Sequence, residues 1–161
     1  MAKVFLICGK ICSGKSTYAE KVCKKNSTVL LSVDEISLAL FGQASGDKHN
    51  DYIKRIKAYL FDKSLELITS EINVVLDWGF WTKEERDYAR RFYNNRNIKC
   101  EFHYIDISNE IWKTLIEKRN SEVLLEKTNA YYVDDKLISI VSAVFEEPTK
   151  DEIDVWIEAE C

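Results

Sequence analysis

Residues Gly9 to Thr17, reading Gly-Lys-Ile-Cys-Ser-Gly-Lys-Ser-Thr, follow directly on the apolar run Val4 to Cys8. The spacing is that of a phosphate-binding loop, and its position between a strand and a helix constrains the chain more than the motif alone. Glycine lets successive backbone N–H groups point into one concavity without a Cβ clash, and the helix that follows adds the partial positive charge of its N-terminus. Gly9, Cys12, Ser13, Gly14, Lys15, Ser16 and Thr17 are therefore the candidate nucleotide contacts. Lys15 supplies a mobile cation for triphosphate oxygens, and Ser16 offers a hydroxyl to Mg2+. A solvated lysine on a glycine-rich turn is the alternative.

With 161 residues, 46% hydrophobic and 31% charged, the chain suits a single domain spanning 1–161 with a sizeable core. Met1-Ala2-Lys3 leads straight into a strand, so neither a signal peptide nor a membrane span is expected, and a cytoplasmic address follows. The cysteines, at positions 8, 12, 23, 100 and 161, lack the paired spacing of a zinc site or a disulfide framework and read as free thiols. Cys12 is either a small residue filling a variable loop position or a redox group. A net charge of −4 argues against a protein whose main task is holding nucleic acid, while leaving room for a small or single-stranded substrate.

Strand-length apolar runs at Val4 to Cys8, Val29 to Val33, Asn73 to Asp77 and Lys99 to Ile105 alternate with helical patterns, and Glu152 to Ile157 could add a short strand. That alternation predicts a three-layer α/β/α fold around a mainly parallel sheet. Helices are expected from the phosphate loop to Lys25, from Glu35 to Phe41, through Ile53 to Leu67, after a Thr82/Glu85 capping box, after Ser108 or Asn109, and from Tyr131 to Phe145. Residues 42–50, rich in Gly, Ser, Asp and Asn, read as a mobile loop.

In an open parallel sheet, ligands bind beyond the carboxyl ends of the strands. The second strand ends in Ser32-Val33-Asp34 and the third in Leu76-Asp77-Trp78-Gly79, so both carboxylates point toward the triphosphate. Asp34 is assigned as general base, with a helix N-cap as its structural alternative, and Asp77 as a metal or substrate ligand, with turn formation as its own. Arg119, in Glu117-Lys118-Arg119-Asn120-Ser121, is the candidate cation for the charge on the moving phosphoryl group, or else a basic residue placed at a helix C-terminus. Arg86 is a candidate substrate contact, whereas Arg90 and Arg91 read as a solvated face. His49 and His103 are too isolated to suggest a metal site. Trp78, Phe80 and Trp81 either wall an acceptor pocket or form core under the next helix.

The chain resembles the small P-loop kinases grouped with the polynucleotide 5′-kinase domain, chloramphenicol phosphotransferase and zeta toxins. The resemblance rests on Gly9 to Thr17, Ser32-Val33-Asp34-Glu35-Ile36, Leu40-Phe41-Gly42, Val75-Leu76-Asp77, Trp112 to Asn120 and Phe145-Glu146-Glu147-Pro148. It implies transfer of the ATP γ-phosphate to a hydroxyl with Mg2+ present, Asp34 matching the family's base and Arg119 the start of a lid near 119–130. Polynucleotide kinases carry an arginine three residues after the base, where this chain has Ser37, and a further lid arginine is replaced by Glu122 or Val123. A hydroxyl-bearing small molecule is thus the expected acceptor, with a polynucleotide 5′-hydroxyl or a non-catalytic ATP-binding module as alternatives. No Asn-Lys-x-Asp element for guanine occurs.

Overall fold

The first strand, β1 (Val4–Cys8), is apolar at every position and completely buried, as expected of a strand with layers packed on both faces. The computed structural model describes residues 1–159; Cys161, read as a free thiol, lies outside them. Around β1 run β2 (Thr28–Ser32), β3 (Asn73–Gly79), β4 (Cys100–Asp106) and β5 (Val155–Glu158), all parallel, in the order β2-β3-β1-β4-β5. The helices are α1 (Lys15–Asn26), α2 (Val33–Phe41), α3 (His49–Thr69), α4 (Lys83–Asn94), α5 (Asn109–Leu124) and α6 (Asp135–Val144). The fold is the three-layer α/β/α arrangement of P-loop proteins.

Alternation along the strands divides the core. Val4, Leu6, Val74, Leu76, Phe102 and Tyr104 meet Phe61 of α3 and Ala89 and Tyr93 of α4 on one face. Phe5, Ile7, Val75 and Ile105 meet Ala19 and Val22 of α1 on the other. This two-residue period also sends Asp77 and Trp78 to opposite faces, the carboxylate toward α1 and the indole toward α3. In register, Ser32 lies beside Asp77 and Asp77 beside Ile7, so three strand ends leave the sheet at one height.

Several boundaries differ from the sequence expectations. Val33 belongs to α2 because Ser32 caps that helix, its hydroxyl accepting from the Glu35 amide at 3.3 Å; Asp34 is consequently in the first turn and is not the N-cap. Residues 49 and 50, expected in the loop, open α3, and Gly46–Lys48 forms a short 3₁₀ helix. Helix α5 continues to Leu124, past the expected end near Ser121. The helix expected from Tyr131 begins only at Asp135, because the backbone of residues 130–133 is bonded to side chains from elsewhere. Gln43 pairs with Ala130 O and Tyr132 N, and Asn120 with both backbone groups of Val133. The Thr82/Glu85 capping box is formed as expected. Among the described residues, no helix is long and apolar enough to cross a membrane.

Candidate active site

The phosphate loop is held from three sides. Gly9 N donates to Gly79 O at 3.0 Å, tying the loop to the end of β3. Gly79 has φ +88, and a Cβ there would lie 2.5 Å from Trp81 Nε1, so only glycine allows the indole to lie across this junction. From α5, Trp112 Nε1 donates to Ile11 O at 2.7 Å, and its ring carries Lys10 Nζ 4.8 Å from the centroid. Nothing in the local sequence signals the Trp112 brace, which spans a hundred residues of chain. Cys12 turns its side chain into the apolar cluster of Ile107, Trp112, Ile116, Val133 and Val141. Burial pushes its thiol pKa up, with Arg119 and Lys15 only partly opposing, which is the reverse of what a redox cysteine needs.

An open cleft of about 450 Å³ lies over the loop and brings together Lys15, Ser16, Asp34, Asp77 and Arg119. Cys12 and Ser13 also reach its wall; Gly9, Gly14 and Thr17 belong to the loop and first turn of α1 but do not. Ser16 Oγ donates to Asp77 Oδ2 at 2.9 Å, joining the hydroxyl at the start of α1 to the buried carboxylate at the end of β3. These are hard oxygen donors of the kind Mg2+ takes. Among the described residues, no group of three or more His, Cys, Asp or Glu could hold a metal ion.

Lys15 Nζ donates to Lys10 O within the loop. Desolvation lowers its pKa, against the attraction of Asp77 and then Asp34. Asp34 is open to cleft water but crowded by protein on its other sides. This crowding raises its pKa, and the Lys15 charge pulls the other way. Arg119 lies more than a turn before the end of α5, outside the reach of the helix-terminus effect that offered an alternative reading. It lines the cleft, as do Lys15, Lys136, Asp34, Asp77 and Asp134.

Three groups on the cleft were not singled out from the sequence. Tyr131 donates its hydroxyl to Ser37 Oγ at 2.7 Å; the serine standing where the resemblance calls for an arginine is thus buried and bonded. His49 shares a hydrogen bond with Ser45 and meets Tyr131 edge-on, their centroids 6.3 Å apart. Gln43, through its two bonds to residues 130 and 132, fastens the loop after α2 to the segment before α6. Signals for the contacts of Tyr131 and Gln43 are weak because their hydrogen-bond partners lie about 90 positions away.

Arg86 corrects an expectation. It is 2% exposed and lies away from the cleft. Its Nε bonds Glu152 Oε1 at 2.9 Å, and its Nη1 donates to the carbonyls of Phe80, Trp81 and Glu146, so its donors serve structure rather than substrate. Arg90, read as solvated, bonds Cys100 O and Glu152 O and pairs with Asp154 at 2.9 Å. The aromatic cluster divides between its two readings: Phe80 is core at 1% exposure, while Trp78 and Trp81 reach the cleft.

Solved structures share this fold. A gluconokinase from Sinorhizobium meliloti 1021 superposes with a TM-score of 0.66 at 15% identity, covering 97% of this chain and 82% of its own. Kti12 from Chaetomium thermophilum, solved with ADP-AlF3, gives 0.69 at 15% identity over 97% and 88%. A chain of the Pnkp1/Rnl/Hen1 RNA repair complex gives 0.70 at 20% identity over 88% of this chain but only 43% of its own length. No curated protein sequence matches. Residues 4–148 match the AAA domain family, and with a match over most of its length the chain belongs to that family and has the fold of the small P-loop kinases.

Proposed function

We propose that the protein is an ATP-dependent kinase that transfers the γ-phosphate to a hydroxyl group of a small molecule. The observation that carries this reading is the convergence of Asp34, Lys15, the Ser16–Asp77 pair and Arg119 on one cleft. Loop amides and Lys15 hold the phosphates, and Arg119 faces the charge that spreads over the moving group. Ser16 and Asp77 would hold Mg2+, which would supply positive charge against the phosphates. Asp34 takes the proton of the acceptor hydroxyl; its raised pKa makes it a better base than an ordinary carboxylate. The net charge of −4 and the bonded Ser37, with no cation in its place, favour a small acceptor over a polynucleotide. A cytoplasmic location, where ATP is abundant, suits this chemistry.

The test is incubation of the purified protein with ATP and magnesium against a panel of sugars, nucleosides, amino alcohols and a 5′-hydroxyl oligonucleotide, following ADP release and 31P NMR. The expected result is acceptor-dependent ADP formation with a small molecule. Labelling of the oligonucleotide alone moves the activity to polynucleotides. ATP binding without transfer to any acceptor makes the protein a nucleotide-binding module instead.

A further inference from the structure

Trp78 has a second environment. Its ring lines the cleft over the phosphate loop and also a second cavity of about 490 Å³ between α3 and α4. The two spaces adjoin again at the start of α3, where His49 lines the first and Asn50 the second. The hydrogen bonds of Gln43 and Tyr131 tie down the segment flanking the cleft.

This second cavity is aromatic. Phe80 lies 5.1 Å from Trp78 in a tilted arrangement, and Phe61 meets Trp78 edge-on at 5.3 Å. Tyr88, 50% exposed, meets Phe61 edge-on at 5.4 Å from the α4 side. These are the separations at which aromatic rings attract one another, and a further ring entering the groove would find the same geometry. Rim charges cancel: Lys54 and Lys57 stand on α3 against Glu84 and Glu85 on α4, with Lys57 paired to Glu85. Such a groove selects no net charge. Its volume is that of a small-molecule pocket.

Building on the kinase reading, we propose that the groove between α3 and α4 binds the body of the phosphoryl acceptor, and that the acceptor is an uncharged hydroxyl compound with a planar aromatic moiety. Its hydroxyl reaches Asp34, and its ring passes Trp78 to lie between α3 and α4 against the half-exposed Tyr88. Transfer forms the acceptor O–P bond and breaks the β,γ-bridging O–P bond of ATP, the hydroxyl proton passing to Asp34 and ADP leaving.

Ala58→Trp tests this, because residue 58 is exposed on α3 and a larger side chain there fills the groove without touching the cleft. NMR titration of the full chain, with a non-hydrolysable ATP analogue and magnesium, would use 2-(2-naphthyl)ethanol and gluconate as probes. The naphthyl alcohol should shift the resonances of Ile53, Phe61, Trp78 and Tyr88, and Ala58→Trp should weaken it at least tenfold while leaving analogue affinity unchanged. Tyr88→Leu, which removes one exposed ring, should weaken it about two- to tenfold. Shifts confined to the phosphate-loop cleft, equal affinity in Ala58→Trp, or tighter binding of gluconate would overturn the proposal. Analogue binding without any shift in the groove sinks this inference alone; no analogue binding sinks the kinase reading beneath it.

Discussion

On the kinase reading proposed above, Asp34 carries the chemistry of the site in one carboxyl, and its surroundings set its behaviour. Crowding by protein raises its pKa and Lys15 partly offsets this, so in the folded protein it ionises above the ordinary carboxylate value of about 3.9. A base works only when ionised. Transfer activity should therefore fall as pH drops through that raised value, giving kcat/KM an acid limb above the normal carboxylate range. Asp34→Asn should cost about 10²–10⁴-fold in transfer with nucleotide affinity retained, since the group meets the acceptor rather than the phosphates. A pH–rate profile of the native enzyme and isothermal titration of the variant with ATP check both halves. Transfer retained in the variant would take Asp34 out of the base role. The residue's place was legible from the sequence because it follows directly on a strand of a parallel sheet, whereas that of its neighbour Tyr131 was not. Only the folded chain brings the Tyr131 hydroxyl to Ser37, 94 positions away.

Between elements, Arg86 fastens α4 to the turn before β5 and to the chain after α6. Its side chain is bonded on all sides and 2% exposed, and its partner Glu152 is only 10% exposed. Arg86→Ala would leave the largely buried Glu152 carboxylate without its charged partner and take a donor from the carbonyls of Phe80, Trp81 and Glu146. Removing one partner of such a pair costs about 3–5 kcal/mol, so the variant should unfold at markedly lower denaturant while its folded fraction binds ATP normally. A raised KM with unchanged stability would instead restore the substrate role expected from sequence. The same pair makes stability depend on pH. Burial alone would raise the Glu152 pKa, but the Arg86 hydrogen bond and the Thr149 amide outweigh it and leave it lowered. A carboxyl with a depressed folded pKa stabilises the protein above its unfolded value, about 4.3, and that contribution disappears as pH falls from there through the folded pKa. Glu152→Gln should flatten the acid loss of stability over that window in urea titrations. Sequence patterns located α4 through its capping box but could not show which way Arg86 points, because its partner lies 66 residues on. The same distance problem hid the Gln43 pairing, which together with the shorter-range Asn120 pairing keeps residues 131–134 out of α6.

Across the whole molecule, the alternation of apolar runs and helical patterns made the α/β class and the five strands legible, with ends displaced by three residues at most. The order β2-β3-β1-β4-β5 is what converts those strands into a site. It sets β1 beside β3, so that the loop, Ser16 and Asp77 meet, and puts β2 on the far side of β3, where Asp34 enters α2 next to them. Groups from α1, α2, β3 and α5 face one cleft, and a nucleotide bound there would bridge elements that otherwise meet mainly through the sheet. The unfolded chain has no such convergence, so binding must stabilise the fold as a whole. At a concentration one hundred times Kd, the gain is about 2.7 kcal/mol, which for a chain of this size corresponds to a rise in Tm of roughly 5–10 °C. Differential scanning calorimetry with ATP and magnesium should show this rise growing logarithmically with nucleotide, and Lys15→Ala should largely remove it. Because Lys15 is held as a desolvated cation with a lowered pKa, its charge meets phosphate with little competing water, and its loss should weaken the nucleotide more than it weakens the apoprotein. A Tm that stays constant with nucleotide, in a protein whose native melting is cooperative, would mean that the cleft does not hold a triphosphate.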